Sequence, residues 1–187
     1  FFTALFIFPI LIGLLVLAPV ALVVIPKYQK WQPALLALGL FSVNAMWSSV
    51  STTITNAFAA MGKIKINLKL MLMWTALTWI LTPLLMSRYG YNGVAAASAI
   101  VASSSIIPMI ILKKMLPVSL FSNIWPQLIS ALVMGLAIRY VNLKLPFTIY
   151  YLLFTVFLGA ILYSLLIFIF MGKRIVHEIK SVSALIH

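Results

Sequence analysis

The side chains best suited to bind a polar ligand lie close together in one stretch, residues 44–56, which reads NAMWSSVSTTITN. Eight of its thirteen residues carry a hydroxyl or a carboxamide, namely Asn44, Ser48, Ser49, Ser51, Thr52, Thr53, Thr55 and Asn56. Such groups donate and accept hydrogen bonds, but without a neighbouring base they are weak nucleophiles. The stretch can therefore recognise a polar ligand, hold water or bond to other helices.

Residues that could support catalysis are scarce. The only carboxylate is Glu178, the two histidines are His177 and His187, and there is no cysteine. The sequence thus offers no pair of acids, no metal-binding cluster and no Ser/His/Asp set. We expect a protein that is not an enzyme and that needs no cofactor or metal.

The composition is that of a membrane protein. Hydrophobic residues make up 65% of the 187 residues and charged residues only 7%, whereas a soluble domain has roughly 25% charged residues. Lipid offers no hydrogen-bond partners to the backbone, so a spanning segment is a helix or part of a closed barrel. The apolar runs here are continuous and do not alternate with period two, which favours helices. We predict an all-α, polytopic transmembrane helix bundle.

Six spans are predicted, at residues 1–25, 33–61, 68–86, 94–112, 124–141 and 147–171. The first four would form one part of a bundle (1–112), followed by a cytoplasmic connection (113–123), two further spans (124–171) and a cytoplasmic tail (172–187). The tail would either lie flat on the membrane or be disordered. Because the chain is apolar from Phe1 and has no basic leader, we interpret it as the C-terminal part of a longer protein.

The net charge of +12 would indicate nucleic acid in a soluble protein. Here the cations lie in short loops between apolar runs, so contact with anionic membrane lipids is the better interpretation and no nucleic acid is expected. Loops one, three and five hold five cations; loops two, four and the tail hold eight. The positive-inside rule then places the second set, and the C-terminus, in the cytoplasm.

On a helix, the polar residues of the 44–56 stretch share one wide arc, and an apolar arc lies opposite. We predict that the apolar arc faces lipid; it holds Val43, Met46, Trp47, Val50, Ile54, Ala57 and Phe58. The polar arc would line a cavity through Asn44, Ser48, Ser51, Thr52, Thr55 and Asn56, or else pack on neighbouring helices. Ser and Thr can bond the carbonyl one turn back and so need no ligand. Asn44 and Asn56 lack that option and are the stronger candidates.

Two other features are candidates for function or packing. Lys63, Lys65 and Lys69 near span three, and Arg139 inside span five, could hold a phosphate or a lipid head group. Snorkelling at helix ends explains the same residues without any ligand. Ala95, Ala99 and Ser103 repeat at four-residue spacing in span four, which predicts close helix packing.

Two segments, NAFAAMGKIKINLKL (56–70) and WILTPLLMSRYGYNGVAAASAI (79–100), carry a family resemblance. They resemble the C-terminal region of polysaccharide-biosynthesis flippases, the O-antigen-type translocases of the superfamily that also holds multidrug extrusion transporters. The resemblance covers residues 33–112, and the remainder is similar in hydropathy only.

The resemblance implies two helix bundles around a cavity. It also implies alternating access and a lipid-linked oligosaccharide, carried on undecaprenyl pyrophosphate, as the substrate in the bacterial inner membrane. The missing N-terminal half would be a partner and would supply most cationic cavity groups. Three alternatives stay open: a cation-coupled multidrug antiporter, a non-transporting scaffold or partner subunit, and a membrane glycosyltransferase or polymerase with its catalytic acids elsewhere.

Overall fold

The computed structural model describes the backbone of residues 2–116, 120–144 and 148–186, and the side chains of 2–116, 124–144 and 148–172. These ranges form α1 (Phe2–Val24), a 3-10 helix (Pro26–Ala34), α2 (Leu35–Ala60), α3 (Ile64–Tyr89), α4 (Tyr91–Ser103), α5 (Ile106–Met115), α6 (Leu120–Lys144) and α7 (Ile149–Ile186). No strand occurs in these ranges, so the predicted all-α class is confirmed.

Six stretches of helix in the described ranges are long and apolar enough to cross a bilayer. They are Phe2–Val24, Pro26–Ala60, Ile64–Tyr89, Tyr91–Met115, Ile124–Lys144 and Ile149–Gly172. A span needs about 20 apolar residues, and each stretch meets that length. The predicted number of spans is confirmed, and the protein is a multi-pass membrane protein.

The helices pack as two groups joined through α2. Helices α1, α6 and α7 contact one another, α4 packs against both α2 and α3, and α2 also packs on α1. The small residues of α4 explain its position, since Ala95 and Ala97 have no exposed surface. Ala99 is also buried, as expected for close packing, whereas Ser103 is exposed.

Two glycines shape the ends of α3. Gly62 has a φ of 71° and Gly90 a φ of 58°, a region that side-chain-bearing residues rarely adopt. After α2, Gly62 N–H bonds Ala59 O and Lys63 N–H bonds Phe58 O, which is the Schellman arrangement. Gly90 separates α3 from α4, in the connection between predicted spans three and four.

The predicted fourth span is broken into α4 and α5 at Ser104 and Ser105. Pro108 explains the break, because the proline ring clashes with the carbonyl four residues earlier and proline has no N–H to donate to that carbonyl. That carbonyl belongs to Ser104, and it accepts from the Ile107 N–H instead. The span is therefore interrupted in its middle, whereas a continuous helix is predicted at 94–112.

Two predicted segment limits differ from the structure. The connection expected at 113–123 is shorter, because α5 runs to Met115 and α6 begins at Leu120; Lys113 and Lys114 in the last turn of α5 favour helix there. The tail expected at 172–187 continues α7 as helix to Ile186. The predicted start of span six, Phe147, lies outside the described residues.

Candidate functional site

Helices α2, α3 and α4 enclose a groove of about 510 Å³, here called the polar groove. Its lining is Asn44, Ser48, Ser51, Thr52 and Thr55 from α2, Trp74, Thr78 and Thr82 from α3, Val94, Ser98, Val101 and Ala102 from α4, and Ser105 at the break. The volume lies within the range of small-molecule sites, about 300–1,000 Å³. The groove thus gathers five of the six residues that the sequence predicts for a cavity.

The sixth predicted residue, Asn56, does not line the polar groove. It follows Thr55 directly, and one residue on a helix turns the side chain by about 100°. Asn56 and Thr53 are exposed on a different side of α2. The predicted polar arc is therefore wider than the groove, and only part of it turns toward α3 and α4.

Much of the apolar arc of α2 faces protein, so the prediction that this arc faces lipid is wrong for its buried members, whereas Val43 is 41% exposed. Ile54 is 2% exposed and Phe58 is fully buried. Both belong to the core cluster that includes Phe8 and Ile12 of α1. Lipid tails and apolar side chains are equally apolar, so the pattern alone does not distinguish these surroundings. Burial of Ile54 and Phe58 in this core leaves the polar arc on the other sides of α2, and part of that arc lines the polar groove.

The middle of the polar groove is fixed by hydrogen bonds between helices. The Ser51 and Ser105 hydroxyl oxygens lie 2.6 Å apart, and Ser51 also lies 2.9 Å from the Trp47 carbonyl to which it donates. The indole N–H of Trp74 donates to the Ser104 hydroxyl at 2.9 Å. Both serines at the break in span four are thus bonded to a neighbouring helix, one to α2 and one to α3.

The remaining hydroxyls of the polar groove bond within their own helices. Thr52 donates to the carbonyl of Ser48, and Thr55 to the carbonyl of Thr52. Thr78 donates to Trp74 O and Ser98 to Ala95 O, each at 2.8 Å. Ser48 donates to the Asn44 side-chain oxygen at 2.9 Å. These bonds fix the side-chain orientations, and the oxygens at the surface remain able to accept.

The residues of α3 and α4 in the groove were not predicted from the sequence, although α3 carries a readable signal. Trp74, Thr78 and Thr82 recur every four residues and so lie on one helix face. Ser98 and Ser105 belong to the stretch interpreted as packing surface. The helix is interrupted at Ser104 and Ser105, and there the Ser105 hydroxyl contacts the Ser51 hydroxyl.

The predicted cationic candidates lie outside the polar groove. Lys63, Lys65 and Lys69 are exposed, the last two within the first turns of α3. Arg139 is exposed on α6, which packs on α1 and α7. Because α6 continues to Lys144, Arg139 lies further inside its helix than the sequence indicates. Among the described residues, no charged side chain lines the groove.

A second groove of about 730 Å³ lies between α1, α6 and α7. Its lining is almost entirely apolar and includes Gly13, Gly159 and Ala160, beside Tyr163 and Ser164. Such a surface fits lipid tails or another helix, and it offers few groups to orient a polar ligand. The polar groove is therefore the stronger candidate site.

Within the described ranges, no three His, Cys, Asp or Glu side chains lie together as metal ligands. Comparison of the chain with protein-family models, curated proteins and solved structures finds no match. What is shown is a multi-pass α-helical membrane protein with an uncharged polar groove built by three of its helices.

Proposed function

We propose that the chain is part of a flippase or exporter that moves a lipid-linked oligosaccharide across the bacterial inner membrane by alternating access. The observation that carries the proposal is the polar groove, which places hydroxyls and a carboxamide within membrane-spanning helices. Polar groups at this depth are costly unless they bond to protein or face a water-filled path. In a path for a sugar, these polar groups bond to water and to the hydroxyls of the sugar.

The resemblance at residues 56–70 and 79–100 supports the same proposal. Each segment includes one end of α3, the helix that contributes one wall of the polar groove. In this proposal the rest of a longer protein forms the opposite wall of a water-filled path along the groove and supplies the charged groups that a pyrophosphate head requires. The C-terminus lies in the cytoplasm, and Lys63, Lys65 and Lys69 contact anionic head groups there.

A cation-coupled multidrug antiporter is less well supported by the geometry. Coupling usually requires an ionisable residue in the membrane. The only acid in the chain is Glu178, and none of the described residues that line the groove is ionisable as a carboxylate or imidazole. The uncharged lining favours an oligosaccharide over an organic cation as the ligand.

The test is glycan export by the full-length protein. We expect the combined Asn44→Leu and Thr52→Val replacement to lower export about tenfold or more, since each lost hydrogen bond is worth about 0.5–1.5 kcal/mol. Asn56→Leu with Thr53→Val is the matched control, because both residues lie on α2 outside the groove. Equal export by the two variants, at equal protein levels in the membrane, would rule out a transport role for the groove.

A further inference from the structure

We propose that the polar groove recognises the hydroxyl groups of an uncharged glycan and excludes the phosphate part of the substrate. This inference rests on the proposed function and specifies which part of a lipid-linked oligosaccharide the groove contacts. It follows from a comparison of the lining residues' donors, most of which already have a partner in the protein, with their acceptor oxygens, which remain available.

Nearly all hydrogen-bond donors in the groove are already occupied within the protein. Five hydroxyls donate to acceptors on their own helices, namely those of Ser48, Thr52, Thr55, Thr78 and Ser98. The indole N–H of Trp74 donates to Ser104. Ser51 and Ser105 share one bond while Ser51 also bonds Trp47 O. The two hydroxyl protons satisfy both bonds when Ser105 donates to Ser51 and Ser51 donates to the Trp47 carbonyl.

The lone pairs of these hydroxyl oxygens stay available, because each oxygen can accept as well as donate. Turning a hydroxyl to donate outward would break its bond to the helix. Along most of its length the groove therefore presents acceptors. Ser48, Thr52 and Thr55 form such a row on α2, with Thr78 and Ser98 on the facing helices.

Free donors are found at one end of the groove. Asn44 accepts from Ser48 through its oxygen, so its amide nitrogen points away from that bond and has no partner among the described residues. The Thr82 hydroxyl also has none in this part of the structure. Asn44 lies early in α2 and Thr82 late in α3, so both are toward the Gly90 turn.

This distribution matches a sugar and not a phosphate. A sugar hydroxyl is both donor and acceptor, so it can donate to the row of oxygens and accept from Asn44 or Thr82. Phosphate oxygens only accept, and an anion next to lone pairs, with no cation among the described lining residues, would lose its water without compensation. The pyrophosphate must then bind elsewhere, where cations are available.

A bare cation fits the groove less well than a sugar. A hard cation requires several oxygens converging at about 2.3–2.6 Å, usually with carboxylates. Here the oxygens spread over two turns of α2, from Ser48 to Thr55, and over three helices around about 510 Å³. The space and the spacing are those of a ligand with several hydroxyl groups.

Trp74 provides a direct readout, because it lines the groove while its indole N–H is bonded to Ser104. The experiment titrates the full-length protein in nanodiscs with maltotriose, triacetylchitotriose, sodium pyrophosphate or sodium chloride. Because the chain has five tryptophans, tryptophan emission is recorded for both the wild type and Trp74→Phe, and the difference between them reports on Trp74. We expect a saturable response to at least one trisaccharide that is lost in Trp74→Phe, and none to pyrophosphate.

Isosteric variants separate recognition from folding. Thr52→Val removes the acceptor oxygen and should weaken trisaccharide binding about fivefold. Thr52→Ser keeps the oxygen and should bind the trisaccharide as the wild type does. Thr53→Val, outside the groove, should bind as the wild type does. Ser48→Lys should abolish binding of the neutral sugar.

Three outcomes would overturn the inference: a saturable response to pyrophosphate, a response to sodium without sugar, or no response to either trisaccharide. Stronger binding of pyrophosphate in Ser48→Lys is compatible with the inference, provided that the wild type binds none. Glycan export is measured separately. If export depends on Asn44 but neither trisaccharide binds, the proposed transport function stands and only the assignment of the groove to glycan hydroxyls is rejected.

Discussion

The hydroxyl of Tyr163 in α7 donates a hydrogen bond of 2.9 Å to the backbone carbonyl of Leu5 in α1. Within α1 this carbonyl would normally accept from the N–H four residues later, but that residue is Pro9, which has no N–H. Tyr163 is 7% exposed. A side chain 158 residues away thus satisfies the backbone group that a proline leaves free, and it joins the first helix to the last.

Replacing Tyr163 with Phe should lower the free energy of unfolding by about 1–3 kcal/mol, because the Leu5 carbonyl is then unsatisfied in an apolar surrounding. Unfolding of the purified full-length protein in detergent measures this loss. Pro9→Ala is the matched background, since alanine restores the N–H within α1. The account predicts a smaller loss from Tyr163→Phe in that background, and an equal loss would contradict the role of the proline.

Gly93→Ala should destabilise the α3–α4 hairpin. A Cβ built at Gly93 collides with the backbone carbonyl of Leu85, and backbone cannot move aside as a side chain can. We expect a loss of about 1–3 kcal/mol or more, as for overpacking in a core. Gly13→Ala is the control, because the nearest atom there is the end of Met134 at 4.0 Å. If the two variants have the same thermal stability, the close approach is not important.

The bond between Ser51 and Ser105 should appear as a coupling energy. A double-mutant cycle with alanine at both positions should give about 0.6 kcal/mol, the average found for hydrogen bonds between membrane helices, and at most about 1.7 kcal/mol. Ser103 is the control, because it is exposed and bonds the Ala99 carbonyl of its own helix. Ser51 and Ser103 should be additive, so a coupling of the same size there would remove the case for a specific contact.

Much of the helical architecture could be predicted from the sequence because hydropathy alone determines which segments cross a membrane. The limits of the apolar runs at 68–86 and 94–112 were enough to place the connection between α3 and α4, where Gly90 lies. The break at Ser104 and Ser105 was not predicted, although Pro108 signals it. A proline inside a span permits either a kink or a continuous helix, and neighbouring helices decide between them.

The polar groove could be predicted only in part. The two-sided pattern of α2 located Asn44, Ser48, Ser51, Thr52 and Thr55, but the same pattern wrongly assigned its apolar side to lipid. Periodicity gives the angle between residues on one helix and contains no information on which helix lies opposite. Asn56 shows the same limit, since a polar arc on one helix can extend past the edge of the groove.

The cationic candidates show why residue type alone is insufficient for a site. Arg139 and the lysines near α3 have the chemistry to bind phosphate, and the sequence places them at plausible depths. The position of Arg139 relative to the groove depends on the packing of α6 against α1 and α7, and that of the lysines depends on the packing of α3 against α4 and α2. That packing involves contacts far apart along the chain, which short motifs do not encode.

The central claim is that the polar groove meets water while the protein is in the membrane. The most direct test is the reaction of single cysteines with a membrane-impermeant thiol reagent, since the chain has no cysteine of its own. Thr52→Cys, in the groove, should react much faster than Trp79→Cys on the apolar outer face of α3, where the native side chain is 77% exposed. Equal, slow reaction at both positions would show that the groove is closed by other helices and would contradict the account.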